Sequence, residues 1–338
     1  MSTILLVTKT DDNDCVEAVA RAIEARGGKA FRFDTDRFPG TTSMSLAEST
    51  AGDRRRLRVD GATLDLGDVS AVWYRRMNIG AKLPIEIDAQ IRHACVLETR
   101  ATISGMIASL GVFQLNAPIA VRWGENKELQ LAIAREVGLD IPRTLITNDA
   151  DDVRAFAKEC RGGIIGKMLS SFAIREGEEE KVVFTNRIAD DDLANLDGLD
   201  LAPMTFQEAV TKKLELRVTV VGKKVFTAAI DSAKVKRAEV DWRREGSAML
   251  DDWTRYDLPG DVEEKIGALV DRLSLDYAAI DVILTPDGRH VFLESNPAGE
   301  FYWLERCPGL PLTVAIADTL LDPKSRRRGG APVPLVRG

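Results

Sequence analysis

Short runs of apolar and β-branched residues alternate with amphipathic stretches along most of the chain. The run from Thr3 to Thr8, a helical pattern through Arg26 stopped by Gly27-Gly28, and a second run at Ala30 to Phe33 predict β-α-β. Asp14 with Glu17 three residues on predicts a capping box at that helix's start. Met44 to Ser49, Arg56 to Val59 and Val69 to Arg75 predict further strands, separated by Ala-Gly-Asp and Asp-Gly turns. Apolar residues at helical spacing from Ile85 to Leu110 predict a long helix on this sheet, and Val112 to Leu115 a strand that closes the first lobe.

Asn116-Ala117-Pro118 marks a boundary, because proline restricts the residue before it and suits a helix's first turn. This divides the chain into an α/β domain over 1–115, a central lobe over 116–205 and a C-terminal lobe over 206–324, with a basic, Pro/Gly-rich tail at 325–338 expected to be disordered. In the central lobe, Asn126-Lys127 begins a helix that stops at Gly138, and Lys167 sits in an apolar strand flanked by glycines. Ser170-Ser171 and the acidic run Glu176 to Glu180 read as loop. Leu214 to Val221 alternates so that Glu215 and Arg217 share a face, and Val225 to Ile230 pairs with it.

The densest chemistry lies between Asp281 and Asn296. Apolar runs flank Thr285-Pro286-Asp287-Gly288, a turn sequence, so the stretch predicts a β-hairpin. A two-residue loop puts Asp281 diagonal to Glu294 and a four-residue loop puts it directly opposite; a three-residue loop would turn Asp281 to the other face. With either even loop Asp281, Glu294 and Asn296 share one face amid Ile, Leu, Val and Phe. Two carboxylates and an amide oxygen suit a hard ion such as Mg²⁺, which completes its shell with water and substrate phosphates. That implies a nucleotide.

Composition narrows the alternatives. At 338 residues and 45% hydrophobic content the chain can bury substantial cores. Two histidines and four cysteines without CxxC spacing leave little for zinc or a histidine triad. A net charge of −7 argues against a nucleic-acid surface, and no apolar run is long enough for a membrane span; a cytoplasmic enzyme is expected. The turn from Thr8 to Asn13 carries no glycine pattern, so no dinucleotide fingerprint is present. Trp73-Tyr74-Arg75-Arg76 leaves two readings open, a pair of guanidinium forks for a carboxylate or a strand end with snorkelling arginines.

Asn126-Lys127, Gly138 to Pro142-x-Thr144, Lys167, Gln207-Glu208, Glu215-x-Arg217, Asp241-Trp242-Arg243, Asp281 and Glu294-Ser-Asn296-Pro-x-Gly299, in that order, resemble the ATP-grasp ligases. Trp73-Tyr74-Arg75-Arg76 and Trp303-Leu-Glu305 resemble more narrowly the peptide-maturing branch, the microviridin or graspetide ligases. The resemblance implies an ATP-grasp fold behind a Rossmann-like pre-ATP-grasp domain, with nucleotide between two α+β lobes. It implies phosphate contacts for Lys127 and Lys167, ATP contacts for Gln207, Glu208 and the Val210 backbone at the adenine edge, and ribose contacts for Glu215. Arg217 and Arg243 would meet the γ-phosphate or an acyl phosphate, with Lys167 the third residue expected to take part in catalysis. Asp281, Glu294 and Asn296 would hold Mg²⁺. Arg75, Arg76, Asp192 and Asn195 are the residues expected to meet a ribosomal precursor peptide, and a homodimer is the expected assembly. The implied reaction closes ester or amide links within that peptide; the alternatives are a small-substrate carboxylate-amine ligase and a nucleotide-binding module without turnover.

Overall fold

The computed structural model describes residues 1–167, 173–176, 179–182, 185–231 and 250–327. Arg243, the Ser170-Ser171 segment and 328–338 lie outside them.

The first sheet is wholly parallel, in the order β2 (Lys29–Asp34), β1 (Thr3–Thr8), β6 (Val69–Tyr74), β7 (Phe113–Leu115). Helix α1 (Cys15–Glu24) crosses from β1 to β2 and helix α2 (Ala89–Ser109) from β6 to β7, on opposite faces. The expected capping box at α1 is absent: Asn13 Oδ1 accepts the Cys15 N–H at 3.0 Å, while Glu17 pairs with Arg32. Helix α2 starts four residues later than the apolar pattern, because Asp88 accepts the N–H groups of Gln90 (2.9 Å) and Ile91 (3.3 Å). Between β2 and β6, the antiparallel strands β3 (Ser43–Ser49), β4 (Gly52–Val59) and β5 (Ala62–Asp65) add Leu57 and Leu64 to the core over α2.

Pro118 opens helix α3 (Pro118–Gly124), and Asn126 caps helix α4 (Lys127–Glu136) by accepting the Leu129 N–H at 3.1 Å. Both helices pack in the apolar cluster of the C-terminal sheet, beside helix α7 (Gly260–Arg272). The middle sheet is antiparallel, β12 (Asn186–Arg187), β9 (Ile164–Lys167), β13 (Met204–Glu208), β8 (Thr144–Thr147). The lobe boundary drawn at 205/206 falls inside β13. Val153 and Phe156 of helix α5 (Ala150–Glu159) cover one face with Ile164, Leu199 and Phe206. Ahead of β12, strands β10 (Ala173–Glu176) and β11 (Glu179–Val182) pair as a hairpin where the sequence reads as loop. A two-stranded ribbon rests on backbone pairing, and Glu-rich sequence carries no apolar period to betray it.

The last sheet is antiparallel, β16 (Thr254–Arg255), β15 (Lys224–Ile230), β14 (Leu214–Val221), β17 (Tyr277–Leu284), β18 (His290–Asn296). Helices α4 and α7 cover one face; helix α8 (Tyr302–Arg306) and helix α9 (Leu312–Leu321) cover the other and reach α1 of the first sheet. One apolar cluster therefore runs from Ile4 and Trp73 through Leu304 and Ile316 to Tyr277 and Ala279. Asn116 ties the two sheets together: its Nδ2 donates to the carbonyls of Tyr277 (2.7 Å) and Pro297 (2.9 Å), and its Oδ1 accepts from the Asp276 and Tyr277 N–H groups.

The first residues of the expected tail are folded. The Arg327 N–H donates to Asp276 Oδ1 at 2.6 Å, its guanidinium pairs with Asp271, and the Arg326 guanidinium stacks 4.0 Å over the Phe113 ring. Specific acidic and aromatic partners outweigh a composition that favours disorder. Among the described residues, no helix is long and apolar enough to cross a membrane.

Candidate active site

The β17–β18 hairpin closes with the three-residue loop that the sequence reading takes as fatal to the site. The Thr285 N–H donates to Arg289 O (2.9 Å) and the Gly288 N–H to Thr285 O (3.0 Å), with Gly288 at φ +91° as the turn demands. From this tip Leu284 faces His290 and Val282 faces Phe292, which in an unbroken ladder would set Asp281 against Leu293. The ladder breaks there. Leu293 is an extra residue, so Asp281 pairs with Glu294 and Ala279 with Asn296. The Phe292 N–H is drawn instead to Asp140 O at 2.8 Å, outside the hairpin. Both even-loop expectations are therefore corrected, yet the bulge restores the shared face they were meant to explain.

Each carboxylate on that face meets a cation. Arg217 sits directly across β14–β17 from Asp281, and its Nη1 donates to Asp281 Oδ1 at 2.6 Å. Lys127, in the first turn of α4, reaches Glu294 Oε2 with its Nζ at 2.8 Å. Burial opposes the charge on Arg217, but Asp281, Tyr277 and Glu294 outweigh it and raise its pKa above the usual arginine range. Asn296 is exposed, its Oδ1 accepting the Ala298 N–H at 3.0 Å. Among the described residues no group of three or more His, Cys, Asp or Glu side chains is placed to hold a metal ion. An ion here would rest on two carboxylates, one amide oxygen and oxygens from water or phosphate, a donor set that fits Mg²⁺ and not zinc. Glu215 stands two residues before Arg217 on the same face, in an ion pair with Lys212 at 2.6 Å.

The middle sheet brings a second group of predicted residues together. Lys167 pairs with Thr205 and Ile165 with Gln207, so these four share the face turned away from the α5 core. Gln207 is buried; its Nε2 donates to Thr144 Oγ1 at 3.0 Å, and its Oε1 is buried without a partner. An unpaired buried acceptor is costly, and a donor such as an adenine amino group would relieve it. By alternation the Glu208 side chain falls on the Phe206 side, away from Gln207 and Lys167.

The four residues expected to meet a peptide do not come together. Asp192 lies on helix α6 (Asp190–Ala194) and Asn195 at its end, docked on α5 through the Arg154 Nε to Leu193 O bond at 3.1 Å. Arg75 and Arg76 directly follow β6, and both guanidiniums bind Glu300 Oε2. Arg75 is 3% exposed at its side chain and so is no free carboxylate fork; Arg76 keeps 38%. Glu300 is the functional candidate that sequence reasoning missed. Its signal was its place four residues beyond Asn296, a lone acid after Pro297-Ala298-Gly299.

The family model described as the MvdD pre-ATP grasp domain matches residues 3–122. No curated protein matches significantly. Among solved structures, the chain is similar to the macrocyclase MdnC from Microcystis aeruginosa MRC, solved bound with precursor peptide MdnA, at 46% identity over 95% of this chain and 99% of that one, TM-score 0.87. It is similar to a Chryseobacterium gregarium RiPP-associated ATP-grasp ligase in complex with ADP and a leader and core peptide, at 38% identity over 99% of this chain and 100% of that one, TM-score 0.93. The macrocyclase MdnB from Microcystis aeruginosa MRC shares 34% identity over 95% of this chain and 100% of that one, TM-score 0.80. A paired Asp281/Glu294 face, a sheet face bearing Lys167 and Gln207, and near-complete overlap with these ligases converge: the chain belongs to the RiPP-maturing ATP-grasp ligases, the graspetide-type macrocyclase family.

Proposed function

We propose that the protein uses ATP to activate Asp or Glu side chains of a ribosomal precursor peptide and closes them onto Ser/Thr hydroxyls or Lys amines of the same peptide. The observation that carries this is the Asp281–Glu294 pair with Arg217 and Lys127 on it, in a chain 46% identical to a macrocyclase solved with its precursor. Lys167 and Lys127 bind phosphates, Gln207 and the backbone at Glu208 and Val210 take the adenine, and Glu215 takes the ribose. Asp281, Glu294 and Asn296 would hold Mg²⁺, which when bound would supply neutralisation of charge on the phosphate oxygens.

The residues around it do the rest by position and field. Arg217, 11% exposed at its side chain, holds its charge in a site of low dielectric, where one cation stabilises a transferring phosphoryl group far better than in water. A peptide carboxylate oxygen attacks the γ-phosphorus and ADP leaves. A hydroxyl or amine then attacks the acyl carbon, phosphate departs with the original carboxylate oxygen, and the attacking group loses its proton. One water is lost overall per link.

Mass spectrometry of a short acidic, Ser/Thr-rich peptide encoded beside this gene, incubated with enzyme, ATP and Mg²⁺, should show a loss of about 18 Da per bond closed. ATP turnover driven by free amino acids, with no mass loss from the peptide, would favour the small-substrate ligase instead.

A further inference from the structure

An open parallel sheet binds ligands in the crevice beyond its strand ends, where the crossovers diverge. Here that point lies between β1 and β6, since α1 leaves on one face and α2 on the other. The residues lining it are Asp12 and Asn13 after β1 and Arg75 and Arg76 after β6. The group that fills the crevice is Glu300, from the loop beyond β18. Its Oε2 accepts from Arg75 and from Arg76 (3.1 Å), and its Oε1 from the N–H groups of Phe301 (3.1 Å) and Tyr302 (3.2 Å). Arg75 also donates to Ala298 O at 2.7 Å. Burial alone would raise the Glu300 carboxyl, but Arg75, the Asn13 side chain and the two N–H groups hold it below the usual range.

The same loop is gripped from the ligase side. Tyr277 Oη donates to Gly299 O at 2.7 Å, and Arg217 Nη2 donates to Glu300 O at 3.3 Å while its Nη1 holds Asp281. Gly299 lies so close to β17 that a Cβ there would stand 2.5 Å from that of Ala279. Residues 298–300 thus form a taut link between the buried Arg75 and Arg217.

We propose that Glu300 is a positioning residue: with its carboxylate anchored in the first sheet's crevice, its carbonyl holds Arg217 against Asp281 in the geometry that ligation needs. This rests on the assignment of Arg217 to the transferring phosphoryl group. A group held by one backbone carbonyl and one carboxylate loses alignment when either shifts, and small misplacements cost rate more than binding.

Glu300→Gln in the full chain keeps the shape and removes the carboxylate that both guanidiniums share, leaving Asp12 at 3.9 Å from Arg75 and 3.6 Å from Arg76. The expected result is a kcat for ring closure lower by about tenfold or more, with KM for ATP and for peptide within about twofold of wild type. Arg75→Lys should give the same split, and the two changes together should cost little more than either alone, because both act through one contact. Wild-type kcat in both variants below their melting temperatures, or raised KM with unchanged kcat, would show a clamp for stability alone and overturn the proposal. If Glu300→Gln does not fold, Arg75→Lys decides by the same criterion. A wild-type enzyme that closes no ring in any peptide would be a failure of the ligase assignment itself, a distinct result.

Discussion

Glu294→Ala is expected to abolish ATP-dependent ring closure while leaving the fold standing. Glu294 and Asp281 face each other across β17–β18 and would supply both carboxylates of the proposed ion site, so removing either would leave it one acid and one amide. The two alanine variants should differ in stability. Lys127, 27% exposed at its side chain, can return to water when Glu294 is lost. Arg217 is buried more deeply and would be left as an uncompensated charge by Asp281→Ala, a cost of about 3–5 kcal/mol for a buried pair broken on one side. Ring closure followed by mass spectrometry and denaturant unfolding read the two effects separately. A Glu294→Ala enzyme that closes rings at near-normal rates would remove the carboxylate pair from the mechanism.

Lys167→Met should weaken ATP binding with little change in folding stability. Lys167 lies on the same face of the middle sheet as Gln207, away from the α5 core. One charge-assisted contact to phosphate is worth roughly 1.5–3 kcal/mol, which converts to about a 10- to 150-fold rise in Kd. Isothermal calorimetry with ATP and Mg²⁺ measures this directly. Unchanged affinity would mean that Lys167 does not meet the nucleotide.

Much of this site was legible in the sequence because side-chain alternation in strands is a local property. Glu215 with Arg217, and Glu294 with Asn296, fall on one face from alternation alone, whereas Asp281 joins Glu294 only through the bulge. The loop was not legible. Thr285-Pro286-Asp287-Gly288 fits more than one closure, and the bulge at Leu293 that corrects the register accompanies a bond from Phe292 to Asp140, a residue on another element. Glu300 escaped for the same reason: its arginine partners lie more than two hundred positions away, and no local period encodes a contact of that range. Arg327 shows composition misleading in the other direction, since a basic Pro/Gly-rich segment begins with a residue clamped to Asp271 and Asp276.

In the proposed reaction a peptide side-chain carboxylate is phosphorylated before it is captured. Its most direct test is a precursor peptide carrying ¹⁸O in its Asp and Glu side chains, incubated with enzyme, ATP and Mg²⁺. Phosphate released during ring closure should carry one ¹⁸O atom per link formed, matched to one ADP and one lost water. Rings closed with phosphate free of the label would contradict an acyl phosphate and the roles assigned to Arg217 and the Asp281–Glu294 pair.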